Sequence, residues 1–483
     1  MRKILTFAVI LCLCSFAFAD SIIPDTPAGN FLNEFIKAFN SGDEQVWTDF
    51  IRQDKKAVDS IEVFNRRLEL FRMIFNDLGR MELHSITEQT DYNISAIIKA
   101  TSENPQFEWV RFMIELDSLP PHDWAGVGLR PADNPDEKLP EGELTDELII
   151  KYTENLLNDL AAKDRFSGAV LVARDGQPIF MRAYGLASRR YNVLNKIDTK
   201  FNLGSMNKMF TGVAIAQLVE QGRLSFDDPI IKYLPDYPNK EDAERITIHH
   251  LLTHTSGMGS YWNELFESYW PEIRTVEQVY DLFKDKPLEF EPGERFGYSN
   301  SGPIVLGMII EKVTGMSYYD YIREHIYKPA GMINTDCYEM DLPVPNLAIG
   351  YTMMDYTGQR GDTLRNNLFL HTVKGGPAGG GYSTVEDLLK FDIALRNHKL
   401  LSKEYTDIVT TGKIETDPDI MYAYLFGDEK VNGHRIVGHG GGAPGINAKL
   451  DMYWDLGYTV AVMSNIDNGA VPVANKLQKL LTK

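Results

Sequence analysis

The stretch NLGSMNKMFTGVAIAQLVEQGRL, residues 202–224, decides how the larger part of the chain is interpreted. Its apolar residues recur at helical spacing and stop near Gly222, which predicts an amphipathic helix with Ser205 at its N-terminus. Residues three apart lie on one face of a helix. The amine of Lys208 is therefore expected beside the hydroxyl of Ser205.

The pair formed by Ser205 and Lys208 has two interpretations. A serine hydroxyl is a poor nucleophile unless a base takes its proton, and an amine does so only when its pKa falls toward neutrality. The positive end of the helix would also favour negative charge developing beside Ser205. In the alternative, Ser205 is an ordinary N-cap and Lys208 is a solvated helix residue. A Ser-x-x-Lys pattern arises about once by chance in a chain of this length, so the pattern alone favours the alternative.

Two further polar motifs change this balance. FEPGERFGYSNSGPIVLGMIIEKVTG, residues 290–315, places Tyr298, Ser299 and Asn300 at the start of another amphipathic helix. VGHGGGAPG places His439 and the glycines of residues 440–442 directly after a predicted strand. Glycines at such a place allow a backbone N–H to approach a ligand closely, because no Cβ intervenes.

The three motifs, in this order and separation, resemble the active-site elements of the penicillin-recognising serine hydrolases. The similar branch contains class C β-lactamases, D,D-peptidases, D-aminopeptidases and related esterases. ITIHHLLTHTSGM, residues 246–258, and GGPAGGGYSTVEDLLKFDIAL, residues 375–395, are similar to stretches of the same family. The resemblance covers residues 146–480 and implies an α/β (α+β) fold, in which helices flank an antiparallel sheet and form a helical subdomain.

The resemblance also implies a role for each motif. Ser205 would be the acylated nucleophile, and Lys208 would share its proton and keep Tyr298 anionic. Tyr298 would act as general base and then as general acid, although which of the two residues accepts the proton stays open. Asn300 would hold either the carbonyl side of the substrate or the Lys208 amine. The N–H groups of Ser205 and Gly442 would form the oxyanion hole.

The third motif departs from the family pattern. His439 stands where β-lactamases and penicillin-binding enzymes use a lysine to bind a substrate carboxylate, and an imidazole is mostly neutral at pH 7. The motif, with Gly440 and Gly441, is therefore expected to bind an ester, an amide or an aminopeptidase-type substrate, with β-lactamase activity as an alternative. If His439 takes part in proton transfer, it should titrate near pH 6 to 7.

The strand signals of residues 146–483 lie at both ends of this region. A helix at 146–163 precedes a predicted hairpin with strands at 168–173 and 178–184, and further strands are predicted within 422–440 and 447–465. Helical segments lie between the two groups of strands, and another helix is predicted at 474–483. These signals predict one antiparallel sheet assembled from distant segments and flanked by helices.

The first part of the chain has a different pattern. Residues 20–130 show helices first, with an apolar face from Phe31 to Phe39, and then strands at 81–87, 92–101 and 107–116. This order resembles the cone-shaped α+β fold of the nuclear transport factor two and SnoaL-like group, and we expect a structural or binding accessory domain. Residues 131–145 are rich in proline and acidic residues and are the predicted linker.

Residues 1–19 are predicted to be a cleaved secretory signal peptide. Arg2 and Lys3 precede an apolar run that ends in Ala-Phe-Ala, and the run is shorter than a bilayer span. The expected location is therefore periplasmic or extracellular, without stable membrane insertion after removal of the signal. The net charge of −19 argues against nucleic acid and anionic membrane surfaces as partners, but it does not identify a substrate. The family resemblance implies a small-molecule or peptide substrate, and the oligomeric state stays open.

No metal or organic cofactor is expected. His249, His250 and His254 are spaced so that a zinc site is an alternative, but a structural role is favoured. Cys337 is expected to be a buried filler. A function of another class also stays open, namely a regulatory protein that binds a cell-wall component or small molecule without chemistry.

Overall fold

The computed structural model describes residues 23–102, 108–262, 272–417 and 419–483. The chain divides into two compact units between Lys138 and Leu139, a division that lies inside the predicted linker at 131–145. The predicted signal peptide at 1–19 lies outside the described residues. Within the described ranges, no helix combines the length and apolarity needed to cross a bilayer.

The first unit consists of four helices followed by a four-stranded antiparallel meander in the order β1-β2-β3-β4. Its elements are α1 (Pro27–Asn40), α2 (Glu44–Ile51), α3 (Lys55–Asp59), α4 (Ile61–Leu78), β1 (Met81–Gln89), β2 (Asn93–Ala100), β3 (Trp109–Leu116) and β4 (Trp124–Pro131).

The core of this unit is aromatic. The ring of Phe35 on α1 lies 4.8 Å from that of Phe71 on α4 and 4.9 Å from that of Phe112 on β3, so one side chain joins the helices to the sheet. The order of helices and then strands is as predicted, but β4 was not predicted. Its glycines, Gly126 and Gly128, hide the alternating pattern by which a strand is identified.

The second unit contains the remaining elements. They are α5 (Asp146–Ala162), β5 (Gly168–Arg174), β6 (Gln177–Tyr184), β7 (Leu186–Ser188), β8 (Val193–Leu194), β9 (Phe201–Asn202), α6 (Asn207–Glu220), α7 (Lys240–Arg245), α8 (Ile248–Leu252), α9 (Val276–Tyr280), α10 (Ser301–Thr314), α11 (Tyr318–Ile322), α12 (Lys328–Ala330), β10 (Tyr351–Met354), β11 (Arg360–Asn366), β12 (Tyr382–Ser383), α13 (Val385–Arg396), α14 (Lys403–Thr410), β13 (Ile414–Asp417), β14 (Ile420–Tyr422), β15 (Gly427–Val431), β16 (His434–Ala443), β17 (Ile446–Tyr453), β18 (Tyr458–Ser464) and α15 (Val471–Leu481).

An eight-stranded antiparallel sheet organises this unit, in the order β13-β14-β15-β16-β17-β18-β5-β6. The early strand β5 pairs with the late strand β18 along its whole length, from Gly168 opposite Ser464 to Arg174 opposite Tyr458. This pairing confirms the prediction of one sheet made from distant segments. The short strands β13 and β14 extend the sheet beyond the predicted set.

The sheet is covered on both faces. One face contributes to the larger core, which also contains residues of α6, α8, α10 and α13, and the other packs against α5 and α15. The prediction that α6 is amphipathic is wrong, because every residue of 207–218 is buried. The helix lies inside the helical layer and packs against neighbours on all sides. It therefore has no solvent-exposed face, and its sequence lacks a polar face.

Candidate active site

Ser205 lies in a single 3₁₀ turn, Gly204–Met206, that leads into α6. Gly204 begins this turn at a φ of 51°, a left-handed conformation that favours glycine. Within the described part of the chain, neither this turn nor α6 has a side-chain cap. The interpretation of Ser205 as an ordinary N-cap is therefore wrong.

Lys208 is buried completely, which excludes its interpretation as a solvated residue. Its Nζ lies 3.1 Å from Ser205 Oγ, 2.8 Å from Asn300 Oδ1 and 2.6 Å from the carbonyl oxygen of Ala378. Burial disfavours the ammonium form and lowers the pKa of Lys208 to about 7. A substantial fraction of the amine is thus neutral at physiological pH.

The three partners of Lys208 determine the direction of its lone pair. Asn300 Oδ1 and the carbonyl of Ala378 can only accept hydrogen bonds, and the amide of Asn300 is held in this orientation because its Nδ2 donates to Ser260 Oγ at 3.3 Å. A neutral Lys208 amine therefore donates its two N–H groups to these two oxygen atoms. Its lone pair is left for the remaining partner, the hydroxyl of Ser205, which becomes the donor.

Tyr298 stands beside this pair. Its ring centroid is 4.9 Å from Lys208 Nζ, and the nearby side chain of Ser205 acts to lower its pKa. Although 44% of the side chain is exposed, its surroundings raise the pKa of Tyr298 to about 12, chiefly by desolvation. The phenol is thus protonated at neutral pH, in contrast to the anionic form that the family resemblance implied.

The third motif lies within β16 and not directly after a strand as predicted. The neighbouring strand β15 pairs with β16 only as far as Gly438, so residues 439–443 present an edge on that side. This edge runs along the turn of the serine. A Cβ built on Gly441 would lie 1.9 Å from the carbonyl oxygen of Leu203 and 3.2 Å from Ser205 N, so only glycine fits there.

The backbone N–H of Gly442 belongs to the same edge. The hairpin of β16 and β17 closes with Ala443 opposite Ile446, so backbone groups of alternate residues point toward β17 and away from it. Gly442 is one residue from the closing pair, and its N–H consequently points away from β17. A Cβ built on Gly204 would lie 2.8 Å from Gly442 N, which brings this N–H to the turn that holds Ser205.

His439 is half-buried, and both of its ring nitrogens have partners. Nε2 lies 2.9 Å from the hydroxyl of Tyr422, and Nδ1 is hydrogen-bonded to the carbonyl of Gly440. Burial, together with the nearby charge of Lys208, lowers the pKa of His439 to about 3. This pKa lies well below the titration near pH 6 to 7 that a role of His439 in proton transfer would require, because a desolvated imidazole beside a cation resists protonation.

The histidines considered for zinc have protein partners instead. His249 Nδ1 lies 2.9 Å from the hydroxyl of Tyr424, and His250 completes a capping box with Thr247. His254 is completely buried and accepts a hydrogen bond from the Ser299 N–H. Within the described residues, no group of three or more His, Cys, Asp or Glu side chains is arranged to hold a metal ion.

The sequence did not predict the part played by the glycine-rich loop at 375–381. Three successive carbonyls of this loop, at residues 376–378, accept hydrogen bonds from side chains of α6: Asn207 Nδ2 at 3.1 Å, Thr211 Oγ1 at 2.9 Å and Lys208 Nζ at 2.6 Å. The cluster of glycines was the only available signal. The partners themselves depend on tertiary packing across about 170 residues.

Comparisons with known proteins agree with this geometry. A family model described as Beta-lactamase matches residues 153–482. Penicillin-binding protein 4* of Bacillus subtilis is 32% identical over 328 residues, which are 65% of this chain and 71% of that protein.

Two solved structures are similar to the second unit. A penicillin binding protein from Bacillus halodurans has a TM-score of 0.61 and 32% identity, over 68% of this chain and 99% of that one. A D-stereospecific amidohydrolase from Streptomyces sp. has a TM-score of 0.57 and 28% identity, over 68% of this chain and 97% of that one. The chain therefore belongs to the beta-lactamase family of serine hydrolases.

Proposed function

We propose that this protein is an exported hydrolase that cleaves an ester or amide through an acyl-enzyme on Ser205. The observation that carries the proposal is the hydrogen bond between Ser205 Oγ and a completely buried Lys208 whose pKa is lowered to about 7. A base poised near neutral pH is what a serine nucleophile needs.

The first step transfers one proton and forms one bond. As Ser205 Oγ attacks the substrate carbonyl carbon, its proton passes to the lone pair of Lys208 Nζ, and the carbonyl oxygen takes the negative charge. The N–H groups of Ser205 and Gly442 are the donors for that oxyanion, because the β16 edge lies against the serine turn. Lys208 then holds three N–H groups, and its three oxygen partners accept all of them.

The second step expels the leaving group. The tetrahedral intermediate collapses, the bond to the leaving oxygen or nitrogen breaks, and that atom takes a proton from Tyr298, which Lys208 restores. A phenol with a pKa raised to about 12 enters this step protonated and is therefore a general acid before it is a base. Water then attacks the acyl carbon, and the same groups return Ser205 to its free form.

The substrate class follows from the third motif. His439 supplies no fixed positive charge, because its pKa is lowered to about 3. Substrates that depend on a carboxylate contact at this position are therefore disfavoured relative to neutral esters and amides. The similarity to a D-stereospecific amidohydrolase supports an amide substrate.

The same proposal includes export of the protein and a structural or binding role for its first unit. Export rests on the signal-like pattern of residues 1–19, and cleavage there would give a secreted protein that begins at Asp20. Sequencing the N-terminus of the protein recovered outside the cytoplasm tests this point. A protein that retains residues 1–19 contradicts it.

Covalent labelling tests the chemistry. The intact protein is treated with a fluorophosphonate probe, and its mass is measured before and after. Labelling should add one probe mass at Ser205, should vanish in Ser205→Ala and should persist in Ser299→Ala, whose hydroxyl is bonded to the Gly259 carbonyl instead. Replacing the nucleophile should also lower turnover by about three to six orders of magnitude. Reversible binding of substrates without labelling would instead identify a binding protein.

A further inference from the structure

A continuous run of hydrogen bonds connects the second motif to the third. The Ser299 N–H lies 3.2 Å from His254 Nδ1, and His254 Nε2 lies 3.1 Å from the hydroxyl of Tyr422. That hydroxyl lies 2.9 Å from His439 Nε2, and His439 Nδ1 is hydrogen-bonded to the carbonyl oxygen of Gly440. We call this run the His–Tyr–His chain.

Backbone groups at both ends fix the order of protons in the His–Tyr–His chain. The Ser299 N–H can only donate, so His254 Nδ1 is unprotonated and the proton of a neutral His254 is on Nε2. The carbonyl of Gly440 can only accept, so His439 carries its proton on Nδ1. The Tyr422 hydroxyl therefore accepts from His254 and donates to His439. The two histidines are opposite tautomers.

The charges around the chain also oppose its protonation. Burial lowers the pKa of His439 most, and the charges of Lys208 on α6 and of Lys449 on the far face of β17 lower it further. His254, which is completely buried, has its pKa lowered by burial, by Lys208 and by His439. Tyr422 is 8% exposed, and burial with the neighbouring Tyr298 raises its pKa. All three members of the chain are therefore neutral.

We propose that Tyr422 is a positioning residue, which holds His439 as a neutral imidazole with its proton on Nδ1 and leaves no ring nitrogen of His439 free for a substrate. The hydroxyl of Tyr422 occupies Nε2, the nitrogen that would otherwise reach outward as a donor or take up a proton. The tyrosine lies on β14, outside all three motifs, and acts on the reaction only through His439.

This inference rests on the proposed function and sharpens its substrate class. With the carbonyl of Gly440 occupied by His439, the N–H of Gly440 and the backbone groups of Gly442 remain as the polar groups that this part of the β16 edge presents to a substrate. A leaving group that carries a carboxylate gains no contact here, because neither imidazole nitrogen is available. The structure thus assigns the third motif to neutral leaving groups.

A matched pair of substrates tests the consequence for specificity. The phenylacetyl ester of 3-hydroxybenzoate and that of methyl 3-hydroxybenzoate differ in the charge of the leaving group and by one methyl group, and release of the phenol is followed for both. The native protein should show a kcat/KM for the neutral ester at least equal to that for the acid. His439→Lys should shift this ratio at least tenfold toward the acid. A native preference for the acid of tenfold or more would overturn the inference.

Histidine tautomers test the inference without any turnover. In the full-length protein labelled with ¹⁵N-histidine, long-range ¹H–¹⁵N spectra should show a His439 protonated on Nδ1 and unchanged between pH 5.5 and 8. Loss of these signals in His439→Gln assigns them. His254 should show the opposite tautomer. A His439 proton on Nε2, or a midpoint near 6.5, overturns the proposal even if Ser205 is labelled normally.

Two tyrosine variants separate positioning from general packing. Tyr422→Phe should release His439, which then titrates toward its ordinary pKa near 6.5 or changes tautomer. Tyr424→Phe is the matched control. Tyr424 lies two residues after Tyr422, and its hydroxyl makes a similar hydrogen bond to a different histidine, His249, so its loss should leave the His439 signals unchanged. If Tyr422→Phe keeps the native His439 pattern, the proposal is wrong. If this variant does not fold, the tautomers of the native protein still decide.

Discussion

A largely buried lysine lies on each side of the eight-stranded sheet, Lys208 on one side and Lys449 on the other. The two lysines have different hydrogen-bond and charge partners. On the cleft face, the hydrogen bonds of Lys208 join it to neutral oxygen atoms, those of Ser205, Asn300 and Ala378. Its pKa is lowered to about 7 by burial. On the opposite face, Lys449 Nζ lies 3.3 Å from the carboxylate of Asp451, and the charge of Asp451 raises the pKa of Lys449.

The comparison separates burial from charge pairing. Both environments remove water from a lysine ammonium group. Lys449 on the far face has a carboxylate partner that compensates for this loss, whereas Lys208 has none. The buried cleft lysine is given hydrogen-bond acceptors without charge, which hold its position and leave its proton easy to lose. The unpaired lysine of the cleft is therefore the base of the proposed reaction, while the charge of Asp451 holds Lys449 in its ammonium form.

The largest expected effect distinguishes the two lysines directly. Lys208→Met should lower kcat/KM for a neutral ester by about three orders of magnitude or more, because Ser205 loses its base. The free energy of unfolding should stay the same or rise, since a desolvated amine is removed. Initial rates and urea denaturation measure the two quantities. A variant that is destabilised but keeps native kcat/KM would contradict the role of Lys208.

The next effect uses two glycines that lie on opposite faces of β16. Gly441→Ala should lower kcat/KM by about a hundredfold, because its Cβ would meet the Leu203 carbonyl at 1.9 Å and displace the oxyanion donors. Gly442→Ala is the matched control, since its Cβ would meet no atom closer than Asn447 Nδ2 at 4.0 Å. If both variants lost the same fraction of kcat/KM, the close fit of Gly441 against the serine turn could not be the reason for the loss.

The pH dependence tests the cleft lysine without a mutation. Only the neutral amine of Lys208 accepts a proton, so kcat/KM should be constant above about pH 8 and fall about tenfold per pH unit below pH 7, to about one hundredth at pH 5. Rates on a neutral ester between pH 5 and 9 give the midpoint. A midpoint above pH 9 would instead favour the Tyr298 phenolate as the base.

The smallest expected effect concerns the far face. Lys449→Met should lower the free energy of unfolding by about 2 kcal/mol, because it leaves Asp451 buried without its partner while the lysine itself is 23% exposed. Adding Asp451→Asn should recover part of this loss. The kcat/KM midpoint near pH 7 should not move. Urea denaturation of both variants provides the test, and an unchanged stability would remove the contrast between the two faces.

Local spacing predicted part of this site. Ser205 and Lys208 are three residues apart, so any helix that contains them brings their side chains together, and this needs no knowledge of the fold. Tyr298 and the β16 glycines were placed by family resemblance, because the residues alone do not say which loops converge. The strands at both ends of the second unit were predicted for the same reason as Ser205 and Lys208, from short-range alternation.

The rest could not be predicted because it depends on packing between distant segments. The burial of α6 on all sides, the bond from Lys208 to Ala378 and the bond from Tyr422 to His439 have no local pattern. The state of Tyr298 was expected to be anionic, since the effect of desolvation on its pKa appears only when its neighbours are known. Titration behaviour therefore required the structure.

The titration of Lys208 itself tests the central claim most directly. In protein labelled with ¹³C at the lysine side chain, the Cε signal that disappears in Lys208→Met belongs to this residue. Its chemical shift should change with a midpoint near pH 7. A midpoint for Lys208 above about 9.5 would contradict the account, because the amine would then be charged when Ser205 has to lose its proton.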